Sequence, residues 1–348
     1  MKKPHLESTY KLFINGEWKE ASDKATYKSY CPANGEVLAE CAQATREDVE
    51  DAITAAWAAF ETWKNVPVNE RAEILNKVAD IIDENREHLA MVETLDNGKP
   101  IRETLNVDIP MAAQHFRYFA GCIMASEGSA NILGKDTLSL ILREPIGVVG
   151  QIVPWNFPFL MAAWKLAPVL ASGCCTVFKP SSSTSLSVLE LARLVQGVIP
   201  RGVFNVITGS GSKSGQYMLE SKRFRKLAFT GSTEVGRNVA LAAAERIIPA
   251  TLELGGKSAN IFFEDCDWEM AMDGLQMGIL FNQGQVCCAG SRVFVQDSIY
   301  DRFVEEAVKR FNAVKVGLPW ESDTQMGCQI SKRQMEKILG YVEIGKKE

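Results

Sequence analysis

Short apolar segments alternate with longer amphipathic segments along most of the chain. The apolar runs are I-G-V-V-G-Q-I-V, C-C-T-V-F-K, V-F-N-V-I-T-G, K-L-A-F-T-G and S-A-N-I-F-F-E, and each ends at glycine, proline or a polar residue. Runs of this kind are typical of strands that are buried on both faces of a parallel sheet. The pattern predicts an α/β fold, with helices covering the sheet and ligands binding at the carboxyl ends of its strands.

The N-terminal part of the chain carries a hairpin signal and two helical patterns. Asn15 followed by Gly16, between apolar runs, predicts a tight β-hairpin. Apolar residues at helical spacing predict one helix over about residues 46–64. A second long helix is predicted from Glu70 to Asn97 and Gly98, with a proline shortly beyond. Neither helix carries an obvious catalytic motif.

The composition is that of a globular chain with a sizeable core, long enough for two domains. It has 348 residues, of which 46% are apolar, and a formal net charge of -5. Lys and Arg are scattered, so no basic stripe could follow a nucleic-acid backbone. No apolar run approaches the roughly 18 residues that cross a bilayer, and the N-terminus lacks a signal-peptide core. We therefore expect a cytoplasmic protein with neither a nucleic-acid nor a membrane partner.

The nine cysteines do not form a metal-binding pattern. Their number is odd, and the C-x-x-C pairs of a zinc site are absent. Cys122, Cys174 and Cys175 lie in apolar segments. The default expectation for each thiol is a reduced, buried and inert side chain, and we expect no metal site.

Two glycine-rich loops compete for a phosphate group. Gly209, Gly211 and Gly215 give G-x-G-x-x-x-G, one residue away from the dinucleotide fingerprint. The second loop, from Gly231 to Gly236, opens a predicted helix whose free N–H groups and dipole could hold a pyrophosphate. An ordinary strand-to-helix turn is the alternative for either loop, and the loops alone favour it.

A single acid and a pair of cysteines distinguish the segments that follow. Glu253 lies in the apolar stretch T-L-E-L before paired glycines, where burial would raise its pKa toward that of a general base. Local capping or ion pairing is the alternative for this carboxylate. Cys287 and Cys288 follow in F-N-Q-G-Q-V-C-C, whereas all three histidines lie in the N-terminal third of the chain. A Cys–His protease is therefore weakly supported.

Five motifs in one order connect the chain to a known family. They are P-W-N-F-P (154–158), F-K-P (178–180), F-T-G-S-T-E-V-G (229–236), L-E-L-G-G-K (252–257) and F-N-Q-G-Q-V-C-C (281–288). With these motifs the chain resembles an NAD(P)-dependent aldehyde dehydrogenase of the broad-specificity, acetaldehyde- and retinal-type branch. The resemblance extends from the N-terminal hairpin to the last residue. It implies a Rossmann-type cofactor domain, an α/β catalytic domain, an oligomerisation arm and a small-molecule aldehyde as substrate.

The resemblance implies a nucleophile, an oxyanion donor and a base. The family nucleophile is the second residue after G-Q, here Cys287, whose thiolate would attack an aldehyde, pass a hydride to the nicotinamide and become a thioester. The side-chain amide of Asn156 and the N–H of Cys287 would hold the oxyanion. Glu253 would activate the water that hydrolyses the thioester. Local dipoles or the positive ring of the cofactor are expected to lower the thiol pKa.

The resemblance also implies a cofactor site. Lys179 would contact the adenosine ribose, Gly231 and Ser232 the pyrophosphate, and the backbone of Glu253 and Leu254 the nicotinamide amide. The expected cofactor-binding residues are Ile152, Val153, Pro154, Trp155, Lys179, Ser182, Gly211, Gly215, Phe229, Thr230, Gly231, Ser232, Val235, Glu253, Leu254 and Gly255.

One position of this site departs from the family pattern. Many NAD-specific members carry an acid three residues after the lysine, where this chain has Ser182. An acid would accept a bond from the ribose 2'-hydroxyl and repel a 2'-phosphate. Its absence leaves both NAD and NADP open as the cofactor.

The resemblance further implies how the chain is divided. We expect a cofactor-binding domain from 1–123 and 147–254, an oligomerisation hairpin over 124–146 and a catalytic domain over 255–348, assembled as a homodimer or homotetramer. Family members continue through an E-x-F-G-P-V segment, whereas Y-V-E-I-G-K-K-E ends inside a predicted amphipathic helix. A C-terminally truncated chain with an incomplete catalytic domain is therefore expected. The alternatives to aldehyde oxidation are a cysteine acyltransferase or hydrolase, and an inactive homologue that only binds cofactor.

Overall fold

The computed structural model describes residues 4–348 and places a seven-stranded β-sheet at the centre of the chain. The strands are Thr9–Tyr10 (β1), Leu12–Ile14 (β2), Glu17–Lys19 (β3), Thr26–Tyr30 (β4), Val37–Ala42 (β5), Ser129–Gly134 (β6), Thr137–Ile141 (β7), Val148–Ile152 (β8), Cys175–Lys179 (β9), Phe204–Val206 (β10), Lys226–Gly231 (β11), Ala250–Leu254 (β12), Ala259–Phe262 (β13) and Arg292–Val295 (β14). Strands β1, β5 and β4 form a separate three-stranded sheet.

Helices connect the strands and cover the sheet. They are Arg46–Trp63 (α1), Val68–Glu84 (α2), Arg86–Asn97 (α3), Ile101–Glu103 (α4), Ile109–Met124 (α5), Pro158–Ala171 (α6), Leu186–Leu194 (α7), Gln216–Glu220 (α8), Thr233–Ala244 (α9), Trp268–Leu280 (α10), Tyr300–Asn312 (α11) and Lys332–Lys347 (α12). Thr104–Asp108 and Gly211–Gly215 are π-helical turns, and Phe281–Gly284 and Asp297–Ile299 are 3₁₀ turns.

The order of the strands in the large sheet is β12-β11-β8-β9-β10-β2-β3. Strands β12 to β10 pair in parallel, and the hairpin of β2 and β3 is antiparallel. The chain runs from β8 through β9 to β10 on one side and later adds β11 and β12 on the other side. A reversal of this kind leaves a ligand-binding crevice outside the carboxyl ends of the strands. The predicted α/β fold with a parallel sheet is confirmed.

The short-range signals of the N-terminal part are also confirmed. Asn15 and Gly16 both have positive φ, 54° and 72°, which a type I′ hairpin turn requires. Helix α1 begins at a capping box, in which Thr45 accepts a bond from the backbone of Asp48 and the Asp48 carboxylate accepts one from the backbone of Thr45.

The second predicted helix is in fact two helices, α2 and α3. Asn85 separates them with φ -107° and ψ 18°, and its side-chain amide donates to the carbonyl of Ile81 at 2.8 Å. Asparagine favours such local bonds to the backbone over helix continuation. The predicted end is correct, because Gly98 terminates α3 in the left-handed conformation with φ 89°.

The prediction that S-A-N-I-F-F-E is a buried strand was wrong about its burial. Strand β13 pairs in parallel with β14 alone, in a two-stranded sheet outside the large one. Ile261 is 61% exposed and Phe263 is 60% exposed, whereas the small core of Met272, Leu275 and Phe303 receives Phe262. A two-stranded sheet with helices packed against one face leaves its other face open.

The default expectation for the cysteines was correct for some thiols and wrong for others. All nine cysteines are free, and Cys174 and Cys175 are buried. Cys122 is exposed, because it lies on the outer side of α5. None of the helices within residues 4–348 combines the length and apolar character that a bilayer crossing requires.

A buried carboxylate ties the N-terminal strand β1 to the helices beside it. Glu190 on α7 is fully buried and accepts bonds from the Tyr10 hydroxyl at 2.5 Å and the His88 ring at 2.9 Å, with Arg193 as a third partner. Burial alone would raise the pKa of Glu190, but the bonds from His88, Tyr10 and Arg193 hold it below its usual value. The ionised carboxylate therefore stabilises this part of the fold.

Replacing Tyr10 by Phe is expected to lower the free energy of unfolding by about 1.5–3 kcal/mol, because it removes a hydrogen bond to a buried charge. The pKa of Glu190 is depressed in the folded state, so its carboxylate stabilises the fold above the unfolded-state pKa of about 4.3. The difference in the free energy of unfolding between the variant and the unaltered protein is therefore largest above this pH and becomes smaller as the pH falls. Urea unfolding measures it. Tyr30→Phe is the matched control, because Tyr30 is 52% exposed; equal effects of the two variants would contradict the assignment.

Candidate functional site

The carboxyl ends of four neighbouring strands form the floor of the candidate site. The register aligns Ile152 of β8 with Lys179 of β9 and with Phe229 of β11, and it aligns Gly231 of β11 with Leu254 of β12. These five residues were all predicted to contact a cofactor. Three sequence motifs far apart in the chain therefore end at one edge of the sheet.

Lys179 ends β9 in the interior of the protein. Its side chain is buried, its ammonium donates to the carbonyl of Pro180 at 3.0 Å, and burial lowers its pKa to about 8. Gly215 packs beside it, since a Cβ on Gly215 would lie 3.7 Å from Cε of Lys179. The strand end and the first glycine loop are thus adjacent. Ser182 follows in the segment after β9 and is half-buried.

The first glycine loop does not have the geometry of the dinucleotide fingerprint. Gly209 has φ 132° and packs tightly, because a Cβ there would lie 2.2 Å from both Gln43 Nε2 and Ser214 Oγ. Gly211 then begins a π-helical turn that ends at Gly215. A Cβ on Gly211 would meet no atom within 4 Å, so open space borders this side of the loop.

The second glycine loop is a strand-to-helix turn with an exposed helix N-terminus. Strand β11 ends at Gly231, and Ser232 caps α9 by accepting a bond from the N–H of Val235 at 3.3 Å. Ser232 and Val235 are exposed, whereas Phe229 and Thr230 are buried in the sheet. The free N–H groups of the first turn, with the helix dipole, provide an anion-binding position. The loop is therefore an ordinary strand-to-helix turn, and this geometry is also compatible with phosphate binding, which stays a prediction.

Two loops meet above the carboxyl edge. The asparagine loop, residues 153–157, leaves β8, and the cysteine loop, residues 281–288, follows α10. The Asn156 amide donates to the carbonyl of Gln285 at 2.8 Å, and the Asn282 amide donates to the carbonyl of Asn156 at 2.6 Å. The second N–H of the Asn156 amide stays available for another acceptor.

The cysteine loop has a strained backbone. Asn282 and Gln283 have φ of 47° and 54°, and Gly284 has φ of 72°. A left-handed conformation costs a residue other than glycine about 1–3 kcal/mol, so the surrounding contacts must hold it. These three left-handed residues form a turn that ends three residues before Cys287.

Both adjacent thiols, Cys287 and Cys288, are exposed. Burial of part of the Cys287 side chain raises the pKa of its thiol, and the charge and hydrogen bond of Cys288 raise it further. Backbone N–H groups act in the opposite direction but do not prevail. The expectation that local dipoles lower this pKa is thus not met by the protein's own groups. A Cβ on Gly256 would lie 3.3 Å from the Cys287 carbonyl oxygen, so the L-E-L-G-G-K segment passes directly beside the nucleophile candidate.

The expectation of a buried Glu253 was wrong, because its side chain is exposed. Within residues 4–348, strand β12 lies at the edge of the large sheet and pairs with β11 alone, so its other edge has no partner strand. Gly255 beyond it is also exposed, and a Cβ there would meet no atom within 4 Å. The backbone beyond Glu253 therefore has room for a close approach by a ligand.

Lys165 is a buried charged residue near the candidate site that sequence reasoning missed. It lies on α6, is 7% exposed, and burial lowers its pKa to about 8, while the charge of Glu253 acts to raise it. The signal was present, since Lys165 is the only charged residue between Pro158 and Ala171. Glu253 thus acts on Lys165 through its charge, and no salt bridge joins the two side chains within residues 4–348.

Comparison with known proteins agrees with this geometry. A model described as "Aldehyde dehydrogenase family" matches residues 18–348. The chain is 49% identical over 349 residues to aldehyde dehydrogenase B of Escherichia coli K12, covering 99% of this chain and 68% of that protein. It is 47% identical over 350 residues to an aldehyde dehydrogenase of Vibrio cholerae, covering 99% and 69%.

A solved structure is similar over almost the whole chain. The NAD+ complex of an aldehyde dehydrogenase from Bacillus cereus superposes with a TM-score of 0.96 at 43% identity, covering 99% of this chain and 73% of that one. The family model and the relatives span the asparagine loop, the carboxyl edge of the sheet and the cysteine loop together. The chain belongs to the aldehyde dehydrogenase family.

Proposed function

We propose that the protein oxidises an aldehyde to a carboxylic acid and reduces NAD or NADP. The observation that carries the proposal is the meeting of the asparagine and cysteine loops above the carboxyl edge of the parallel sheet. In this proposal the thiol of Cys287, the amide of Asn156 and the N-terminus of α9 serve one active site. Mixing the purified protein with an aldehyde and either cofactor should raise the absorbance at 340 nm. A thioester hydrolase without redox chemistry would leave this absorbance unchanged.

The residues at the carboxyl edge fit a dinucleotide. The exposed N-terminus of α9 at Ser232 would hold the pyrophosphate, and Lys179 would contact the adenosine ribose. Gly211 and Gly255 leave space beside the backbone, where ribose and nicotinamide amide could approach. A related Bacillus cereus enzyme forms an NAD+ complex. When bound, the nicotinamide supplies the hydride acceptor for the reaction.

The first covalent step belongs to Cys287. Its thiolate forms a C–S bond to the aldehyde carbon, and the carbonyl oxygen becomes an oxyanion. The free N–H of the Asn156 amide and the backbone N–H of Cys287 would donate to this oxygen. A donor placed in advance typically stabilises such a transition state by about 3–4 kcal/mol. Loss of a hydride from the same carbon converts the adduct to a thioester.

The second step is hydrolysis of the thioester. Glu253 would take a proton from a water molecule, whose oxygen attacks the thioester carbon and expels the Cys287 thiolate. The exposed position of Glu253 gives it access to water, and Lys165, whose pKa is about 8, lies within its electrostatic range.

We also propose the division into a cofactor-binding domain (1–123 and 147–254), a hairpin arm (124–146) and a catalytic domain (255–348). Strands of the large sheet all lie within the first unit, and β13 and β14 within the last. The arm carries a largely exposed pair of strands with apolar side chains, such as Ile132, 84% exposed, and Leu133, 70% exposed. Such a surface favours a homodimer or homotetramer. A cytoplasmic location would suit nine free cysteines.

Cys287→Ser is expected to reduce aldehyde oxidation by about 10⁴-fold or more while leaving the Kd for the cofactor unchanged. A serine hydroxyl is scarcely ionised near neutral pH, and no histidine lies in the cysteine loop to act as its base. Cys288→Ser is the matched control, because it alters the neighbouring thiol and should retain most of the activity. Comparable losses in the two variants, measured as steady-state rates, would refute Cys287 as the nucleophile.

Ser182→Glu is expected to select against NADP. A carboxylate there would lie near a 2'-phosphate, and such a like-charge contact costs about 1–4 kcal/mol at intermediate dielectric. The Kd for NADP should rise several-fold, while the Kd for NAD holds or falls, since the acid can accept the 2'-hydroxyl. Salt should weaken the effect on NADP, because the position is half-buried and partly screened. Titrations of both cofactors at two salt concentrations measure these Kd values. If the affinities for NAD and NADP both fall, Ser182 packs against the end of the strand and does not contact the cofactor.

A further inference from the structure

A fully buried polar segment lies beneath the two loops of the site. The anchor segment, residues 93–99, reads E-T-L-D-N-G-K and covers the end of α3 and the turn beyond it. The side chains of Glu93, Asp96, Asn97 and Lys99 all have 0% exposure. Burial of polar and charged groups is unfavourable unless each finds a partner, so their partners indicate what the segment does.

Contacts from the anchor segment surround Asn156 on both sides. The Asn97 amide donates to the carbonyl of Trp155 at 2.6 Å. The ammonium of Lys99 lies 4.0 Å from the ring centroid of Phe157. The Glu93 carboxylate accepts from the backbone N–H of Phe159 at 3.1 Å, at the start of α6. The asparagine loop is therefore held immediately before and after Asn156.

The same segment holds the strained part of the cysteine loop. The Gln283 side-chain amide donates to the carbonyl of Gly98 at 2.9 Å. The backbone N–H of Asn282 donates to Glu103 at 2.9 Å, a buried carboxylate one turn beyond the segment. Asn282 and Gln283 are the two residues of the cysteine loop other than glycine that have left-handed backbones. The anchor segment thus contacts both the asparagine loop and the cysteine loop. The contact between these two loops places Asn156 against the turn before Cys287.

Lys99 forms ion pairs with two buried acids of this region. Its ammonium lies 2.6 Å from Asp108 and 3.5 Å from Glu93, and all three side chains are buried. Burial raises the pKa of Glu93 to about 8 even beside Lys99, so Asp108 is the main anionic partner of this ammonium. Removing Lys99 would leave the buried Asp108 without its cation, which strongly destabilises a fold. Lys99 is therefore a poor probe of positioning.

Asn97 is the better probe because its side chain is neutral. Within residues 4–348 its amide makes one hydrogen bond, to Trp155, and its carbonyl oxygen has no partner. The fully buried side chain of Asn97 thus makes a single hydrogen bond, and that bond is with the asparagine loop.

We propose that Asn97 is a positioning residue that fixes the asparagine loop against the cysteine loop, so that the Asn156 amide is aimed at the oxygen of the substrate bound to Cys287. The inference rests on the proposed function. Asn97 has no exposed surface, and it acts on Asn156 through the carbonyl of Trp155. Loss of its bond to Trp155 frees one side of the asparagine loop, which displaces the oxyanion donor without removing it.

Asn97→Ala is expected to slow acylation, measured as the single-turnover rate of NAD(P)H formation, by about 10- to 100-fold, the cost of a small misplacement of a catalytic group. The Kd for cofactor should change far less than this rate, because Asn97 contacts the expected cofactor site only through the carbonyl of Trp155. Asn97→Leu, which fills the volume without the donor, should give the same result even if the alanine variant loses stability. The matched control is Asn205→Ala, which removes another fully buried asparagine, on β10, whose amide also donates to backbone carbonyls.

A double-mutant cycle separates positioning from general destabilisation. In an Asn156→Ala background, Asn97→Ala should slow acylation little further, because the donor that it aims is gone. Additive losses, or an Asn97→Ala rate equal to that of Asn205→Ala, would overturn the inference and leave the proposed function intact. Absence of NAD(P)H formation by the unaltered protein would overturn both.

Discussion

The paired hydrogen bonds between the asparagine loop and the cysteine loop are the constraint on which the site depends. They join residues 126 and 129 positions apart, Asn156 with Asn282 and Gln285. The asparagine loop lies outside the helices and strands, and the cysteine loop has one 3₁₀ turn, Phe281–Gly284, that contains two residues in a costly conformation. Each loop therefore fixes the other, and the anchor segment beneath them supports both.

The parallel sheet determines where this contact occurs. Because the strands are parallel and in register, their carboxyl ends place Lys179, Gly231 and Leu254 at one edge. The asparagine loop is the direct continuation of β8, the strand at which the chain order reverses. A ligand in the crevice at this reversal would thus lie beside the residues that carry the proposed chemistry. In the proposed mechanism, cofactor binding and covalent chemistry therefore share one scaffold.

Local patterns predicted the parts of the fold that local physics determines. The turn at Asn15 and Gly16, the helix α1 and the buried strands followed from hairpin, helical and apolar patterns in short windows. The exposure of Glu253 could not follow, because it depends on which strand lies at the edge of the sheet. Asn97 ends an amphipathic helix, where a polar residue usually faces solvent; its burial depends on distant segments. The motif resemblance supplied candidate roles that spacing alone left open.

The most direct test is to trap the acyl-enzyme. Glu253→Gln protein, mixed with an aldehyde and cofactor and quenched with acid, should carry the acyl group as a thioester. Mass spectrometry of the digested chain should find this mass on Cys287, in an amount equal to the NAD(P)H formed in the first turnover. The proposed mechanism requires that the adduct disappear in the Cys287→Ser, Glu253→Gln double variant. An acyl group on Cys288, or NAD(P)H formation without any thioester, would contradict it.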